Sequence, residues 1–154
     1  MTQLDDLDRK ILSVLQERGK LSAQELADAT GQSSPATCWR RLKSLQEAGF
    51  IEGYQAVLDR RKLGYRICAF THISIERQYK DVIKEIEEKI VARPEVLECY
   101  ATTGDDDFTL RVVARDIDDY DAFIQNFLFA LPGVSRVRSS LALREVKQTG
   151  RVPI

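Results

Sequence analysis

Two helix starts and one tight turn fall within residues 22–49, SAQELADATGQSSPATCWRRLKSLQEAG, and no other stretch constrains the fold as strongly. Ser22 followed by Glu25 fits a capping box, in which hydroxyl and carboxylate satisfy each other's free backbone N–H groups. Leu26 and Ala29 supply a small buried face, and Gly31 can adopt the left-handed conformation that stops a helix. Ser33 or Ser34 then caps a second helix with Pro35 in its first turn, where a missing N–H costs little. On that helix Cys38, Leu42 and Leu45 recur as one stripe, and Ala36, Arg40, Lys43 and Glu47 project roughly opposite. Arg40, Arg41 and Lys43 meet no acidic residue until Glu47. A helix with such a basic face suits the major groove of double-stranded DNA, whose phosphates attract it and whose base edges it can touch.

The flanking residues extend the pattern. Leu4, Leu7, Ile11, Val14 and Leu15 have helical spacing behind Asp5 and Asp6, and Gly19 supplies the stop. After the basic helix, FIEGYQAVL (50–58) is β-rich with Glu52-Gly53 available for a turn, which predicts a short hairpin or an extended strand. Residues 1–58 thus read as a winged helix-turn-helix domain. Ser34, Ala36, Thr37, Arg40 and Lys43 are expected near DNA. Arg41, on the flank, either grips a phosphate or pairs with an acid such as Asp8. Trp39 is expected against the edge of the core rather than reading a thymine methyl, because a fully exposed Trp is unusual. Residues 59–66, with Arg60, Arg61 and Lys62, are expected to form a solvated linker, DNA-backbone contact being the alternative.

Residues 67–154 change periodicity. Ile67 to Ile75 alternates as a strand; Val82, Ile83, Ile86 and Ile90 mark a helix over 79–91. Strands follow over 96–103 and 108–114 around the turn Gly104-Asp105-Asp106, then a helix over 118–130 closed by Pro132-Gly133, and a long strand over 134–146. The order β-α-β-β-α-β is the ferredoxin-like arrangement, with helices on one face of an antiparallel sheet. The other face would carry Cys68, Phe70 and His72, or the alternate set Ile67, Ala69, Ile73 and Ile75. Neither set is wholly polar, so a homodimer, at minimum, is expected to cover it.

Charge and composition narrow the function. Residues 32–66 hold seven basic against three acidic residues, whereas 67–154 hold twelve against fifteen, so a basic module is joined to a domain with another task. The longest apolar run, Phe127 to Leu131, is far too short to cross a bilayer, and the acidic opening MTQLDDLDRK lacks the apolar core of a leader, so a cytoplasmic location is expected. Cys38, Cys68 and Cys99 lie about 30 residues apart without a CxxC pair, which argues against a zinc ribbon or a disulfide framework. With His72 as the only histidine, neither a His-based triad nor a multi-His metal site can be built within one chain, and no metal or cofactor is expected.

Four phrases in the right order and spacing carry a resemblance over essentially the whole chain: LDDLDRKILSVLQERGKLSAQELA, SSPATCWRRLKSLQEAGFIEGYQAVLD, TTGDDDFTLRV and LPGVSRVRSSLALREVKQTGRVPI. The chain resembles the leucine-responsive/asparagine-operon (Lrp/AsnC, feast/famine) regulators. That resemblance implies transcription control, dimers that often assemble into octamers, and a C-terminal domain that binds small effectors, commonly amino acids, between neighbouring copies. Carried across, the effector pocket would use Tyr100, Gly104, Asp107, Ile117 and Ser140. Gly104 would let a ligand carboxylate approach backbone N–H groups, and Asp107 would meet an ammonium. The family usually has a bulky residue where this chain has Asp106, so GDDD presents three consecutive acids, which leaves the effector open and raises a divalent cation as a minor alternative. Two other functions stand beside the leading one: an effector-independent architectural protein that compacts DNA, and a small enzyme or metabolite-binding module, which lacks any recognisable nucleophile–base pair or phosphate loop.

Overall fold

The computed structural model describes residues 4–154; residues 1–3, which open the expected 1–58 domain, lie outside them. The chain packs into two compact units, Met1–Val57 together with Lys147–Ile154, and Leu58–Val146.

The first unit is three helices whose ends are set by side-chain caps. In α1 (Asp6–Arg18) the Asp5 carboxylate accepts from Asp8 N–H at 2.9 Å and the Asp8 carboxylate accepts from Asp5 N–H at 3.3 Å, a capping box made of two acids. α2 (Ala23–Thr30) has the Ser22/Glu25 box and ends at Gly31. α3 (Pro35–Glu47) starts at Ser34, whose hydroxyl accepts from Thr37 N–H. Ile11, Leu12, Leu15, Leu26, Ala27, Cys38, Leu42 and Leu45 form the core. Ala27, not the expected Ala29, joins Leu26 in it, and Ala29 is only half-buried. Burying a side chain such as Ile11 or Leu42 contributes on the order of 1.5–3 kcal/mol, which is what holds so small a unit together.

Residues 51–59 form no strand, so neither the hairpin nor the extended strand expected over 50–58 is seen. Glu52 to Leu58 are all exposed, and a lone two-stranded ribbon with so little of its surface covered is marginal at best. The carboxyl-terminal residues, grouped by sequence with 67–154, pack here instead. The Gln16 side-chain amide clasps the Val152 backbone, donating to its carbonyl at 3.0 Å and accepting from its N–H at 2.6 Å. Val152 and Ile154, with Leu12, Leu15, Phe50 and Tyr54, line an apolar cleft of about 440 Å³.

The second unit runs β1 (Ile67–Ile75), a 3-10 segment (Arg77–Val82), α4 (Ile83–Val91), β2 (Val96–Ala101), β3 (Phe108–Ala114), α5 (Ile117–Phe123) continuing as a π-turn (Ile124–Leu128), and β4 (Val134–Leu141). The sheet order is β2-β3-β1-β4 with every pair antiparallel, as a ferredoxin-like βαββαβ unit requires. Ala69, Ile73, Leu110 and Val112 point to the helices and meet Ile86, Ile90, Tyr120 and Leu128. Buried Thr71 satisfies its hydroxyl on Tyr120 Oη at 2.7 Å. Gly133, at φ 73°, admits no side chain, since a Cβ there would overlap Tyr79. The strand expected over 134–146 stops at Leu141, and the Ala142 N–H to Cys68 carbonyl bond, 2.8 Å, is its last rung. The residues after it turn exposed and lose the alternation that would pack a sheet face.

Candidate nucleic-acid interface and effector site

Each side chain on α3 takes its role from its angle to the buried stripe. Cys38, Leu42 and Leu45 are buried, and Ala36, Arg40 and Lys43 are exposed on the far side. Ser34 and Thr37 are half-buried and linked hydroxyl to hydroxyl at 3.1 Å, so they fix the first turn of the helix. Lys43 lies 3.8 Å from Glu47, both largely solvated, a pairing too loose to neutralise it. Among the described residues Arg40 has no carboxylate partner.

Two further positions on this helix carried expectations, Arg41 and Trp39. Arg41 resolves to its protein-bound alternative: its guanidinium sits 2.7 Å from Asp5 and 3.4 Å from Asp8 and ties α3 to the capping box of α1. The Asp8 N–H bond, and secondarily the Arg41 charge, hold the Asp5 carboxyl below its ordinary value despite opposing desolvation. Trp39, expected against the edge of the core, is 51% exposed, and the core closes without it. Its position, a quarter-turn or so off the buried stripe, leaves the indole on the shoulder of the basic face. In the linker, Arg60 is likewise engaged, its Nε donating to Glu145 at 2.8 Å, while Arg61 and Lys62 stay exposed.

In the second unit, the β2–β3 turn is stitched to the end of β1. Asp107 N–H donates to the Ile73 carbonyl at 2.8 Å, and the Asp107 carboxylate accepts from Ile75 N–H at 2.7 Å, across the irregularity between Ser74 and Ile75. One carboxylate oxygen of the expected ammonium partner is therefore committed to the fold. Asp106, 8% exposed, accepts from Ser74 Oγ at 3.1 Å, from Arg138 at 2.5 Å and from Arg136 at 3.4 Å, with His72 Nδ1 3.9 Å away. Desolvation alone would raise its carboxyl; the Ser74 hydroxyl and the charges of Arg138, Arg136 and His72 outweigh it and hold the group below the ordinary value. Asp106 and Asp107 thus have separate partners, and among the described residues no cluster of three His, Cys, Asp or Glu is arranged to hold a metal.

Tyr100, 57% exposed, and Gly104, at φ 121°, lie at the β2–β3 end of the sheet with Asp107. Ser140 pairs with Phe70 further along, and Ile117, 53% exposed, opens α5 beyond the opposite end of β3, about 20 Å away at strand rise. A single chain therefore does not gather all five. The sequence reading also missed Arg136 and Arg138 as the partners of Asp106. The signal was present in their i, i+2 spacing, which puts both on the face of Ser74 and His72. That face carries exposed Phe70 and an Arg111–Glu98 ion pair at 2.6 Å, and is more charged than its strand patterning suggested.

The Lrp/AsnC ligand binding domain family matches residues 68–152, and the winged helix-turn-helix DNA-binding family matches 4–52. The chain belongs to the Lrp/AsnC family. This Lrp/AsnC protein is 40% identical to the Bkd operon transcriptional regulator of Pseudomonas aeruginosa over all of both chains. It is 36% identical to the leucine-responsive regulatory protein of Rhizobium meliloti, over 99% of this chain and 97% of that one. A transcriptional regulator of Neisseria meningitidis, crystallised as a complex with L-Met, superposes with a TM-score of 0.93 at 36% identity, covering 98% of this chain and 97% of that one. The protein is accordingly a transcriptional regulator with a DNA-binding and a ligand-binding domain, and its family is not one of enzymes. Among the described residues no helix is long and apolar enough to cross a membrane.

Proposed function

We propose that this regulator binds specific duplex sites through α3 of paired copies, in the cytoplasm, with an affinity set by an amino acid held between C-terminal units. The observation that carries the effector half is the L-Met complex of the Neisseria relative, whose fold this chain shares. On the DNA side, Arg40 and Lys43 supply charge and Ala36 lets the helix approach closely, while Ser34 and Thr37 hold its first turn; Arg41 acts by orienting α3 against α1. On the effector side, the backbone around Gly104 faces the ligand carboxylate, and the second Asp107 oxygen and Tyr100 face the ammonium and side chain. Ser140 lies along the same sheet, and Ile117 comes from a neighbouring copy, which is why one chain leaves the set dispersed. Homodimers, extending to octamers, follow from such a shared site.

A thermal-shift screen of the twenty amino acids tests this reading, followed by DNA titrations with and without each ligand that raises Tm. At least one is expected to change DNA affinity, and DNA must then change affinity for that ligand by the same factor. Intact DNA binding with no response to any amino acid would favour the effector-independent, DNA-compacting alternative.

A further inference from the structure

We propose that Trp39 reads sequence, its indole packing on the C5-methyl of a thymine in the major groove. The inference rests on α3 being the DNA-reading helix and adds the base it recognises. Trp39 is about 60° from Ala36 and about 40° from Lys43 around the helix axis, at about 100° per residue, so it belongs to the same solvent-facing sector. It is 51% exposed, and the core of the three-helix unit is complete without it. Among the described residues the aromatic and cation–π contacts all involve Phe123, Phe127 or Arg93, so no ring or guanidinium in this chain occupies the indole face.

An indole on that shoulder brings a large apolar surface into a groove otherwise lined by hydrogen-bonding groups. It cannot neutralise a phosphate, and the apolar group a major-groove floor presents is the thymine methyl. Arg40 and Lys43 on the same face supply the attraction to the backbone; Ala36, one turn earlier, leaves room for the ring to reach the floor. A charge-driven helix thereby acquires a preference among sequences of equal charge.

The test uses full-length protein and a duplex selected by it from a random-sequence pool. Thymines of the selected half-site are replaced one at a time by deoxyuridine, which pairs identically but lacks the methyl, and affinity is measured at one fixed salt concentration. The expected result is one position per half-site that loses about fourfold, the Boltzmann factor of one buried methyl. Trp39→Ala should bind the thymine duplex more weakly and no longer distinguish it from the uracil one. Because Trp39 is the only tryptophan, the emission of the wild-type protein should also shift on saturation with the duplex. Tight binding with no uracil-sensitive position, a half-site without thymine, or a penalty that persists in Trp39→Ala overturns the proposal and leaves the DNA reading intact. Emission that follows protein dilution and ignores duplex overturns it in favour of a protein interface. Selection of no duplex at all overturns the DNA reading itself.

Discussion

On α3 the Arg40 guanidinium faces solvent with no carboxylate against it among the described residues, whereas on β4 those of Arg136 and Arg138 close on Asp106. All three are arginines on a solvent-facing side of a regular element, and what separates them is whether the fold supplies an acid. An unneutralised cation offers its whole field to a phosphate and gains by releasing the counterions of DNA; a guanidinium already bonded to a buried carboxylate must first give that partner up. Arg41 stands between them, half-exposed but committed to Asp5 and Asp8. Pairing, and not the number of basic residues, is therefore what separates Arg40 from Arg136 and Arg138.

The largest test of that contrast pairs two substitutions. Arg40→Ala is expected to weaken DNA binding roughly tenfold in a titration at fixed low salt and to lower the salt slope by about one, as loss of a phosphate contact does. Arg136→Ala should leave it within about twofold; an equal loss from both would break the distinction. A smaller effect is expected from Arg41→Ala, about 0.5–1 kcal/mol of stability in the helical unit by denaturant titration, with a DNA loss well below that of Arg40→Ala. The smallest concerns acid. Asp106 has a folded-state carboxyl below its ordinary value near 3.8, so the stability it contributes is present above that value and is lost as pH falls through the lower folded one. Thermal melts should show a steeper loss below about pH 4 in the wild type than in Asp106→Asn, and equal slopes would remove Asp106 from the acid response.

The features legible in the sequence were local ones. Asp5, Ser22 and Ser34 announce helix starts because a cap bonds to backbone two or three residues on, and Cys38, Leu42 and Leu45 announce a buried stripe because helix geometry alone aligns them. β1 and β3 were readable for the same reason, their alternation being imposed by one covered face. What escaped was decided by distant partners. Trp39 was expected against the edge of the core because a fully exposed Trp is unusual, yet eight other side chains already fill that core. Asp106 reads as a solvated turn residue until β4 brings two arginines over it from 30 and 32 positions away. The last eight residues have no periodicity to reveal that Gln16, 136 positions earlier, receives them.

That last attachment changes what a boundary means in this molecule. The polypeptide leaves the helical unit after Val57 and re-enters it at Lys147, so the α/β unit is an insertion spliced into the DNA-reading one. No single scission separates the two: a fragment made by stopping at residue 57 lacks part of its own wall. A tag or fusion placed after Ile154 is likewise joined to the helical unit and not to the sheet to which it is nearer in sequence.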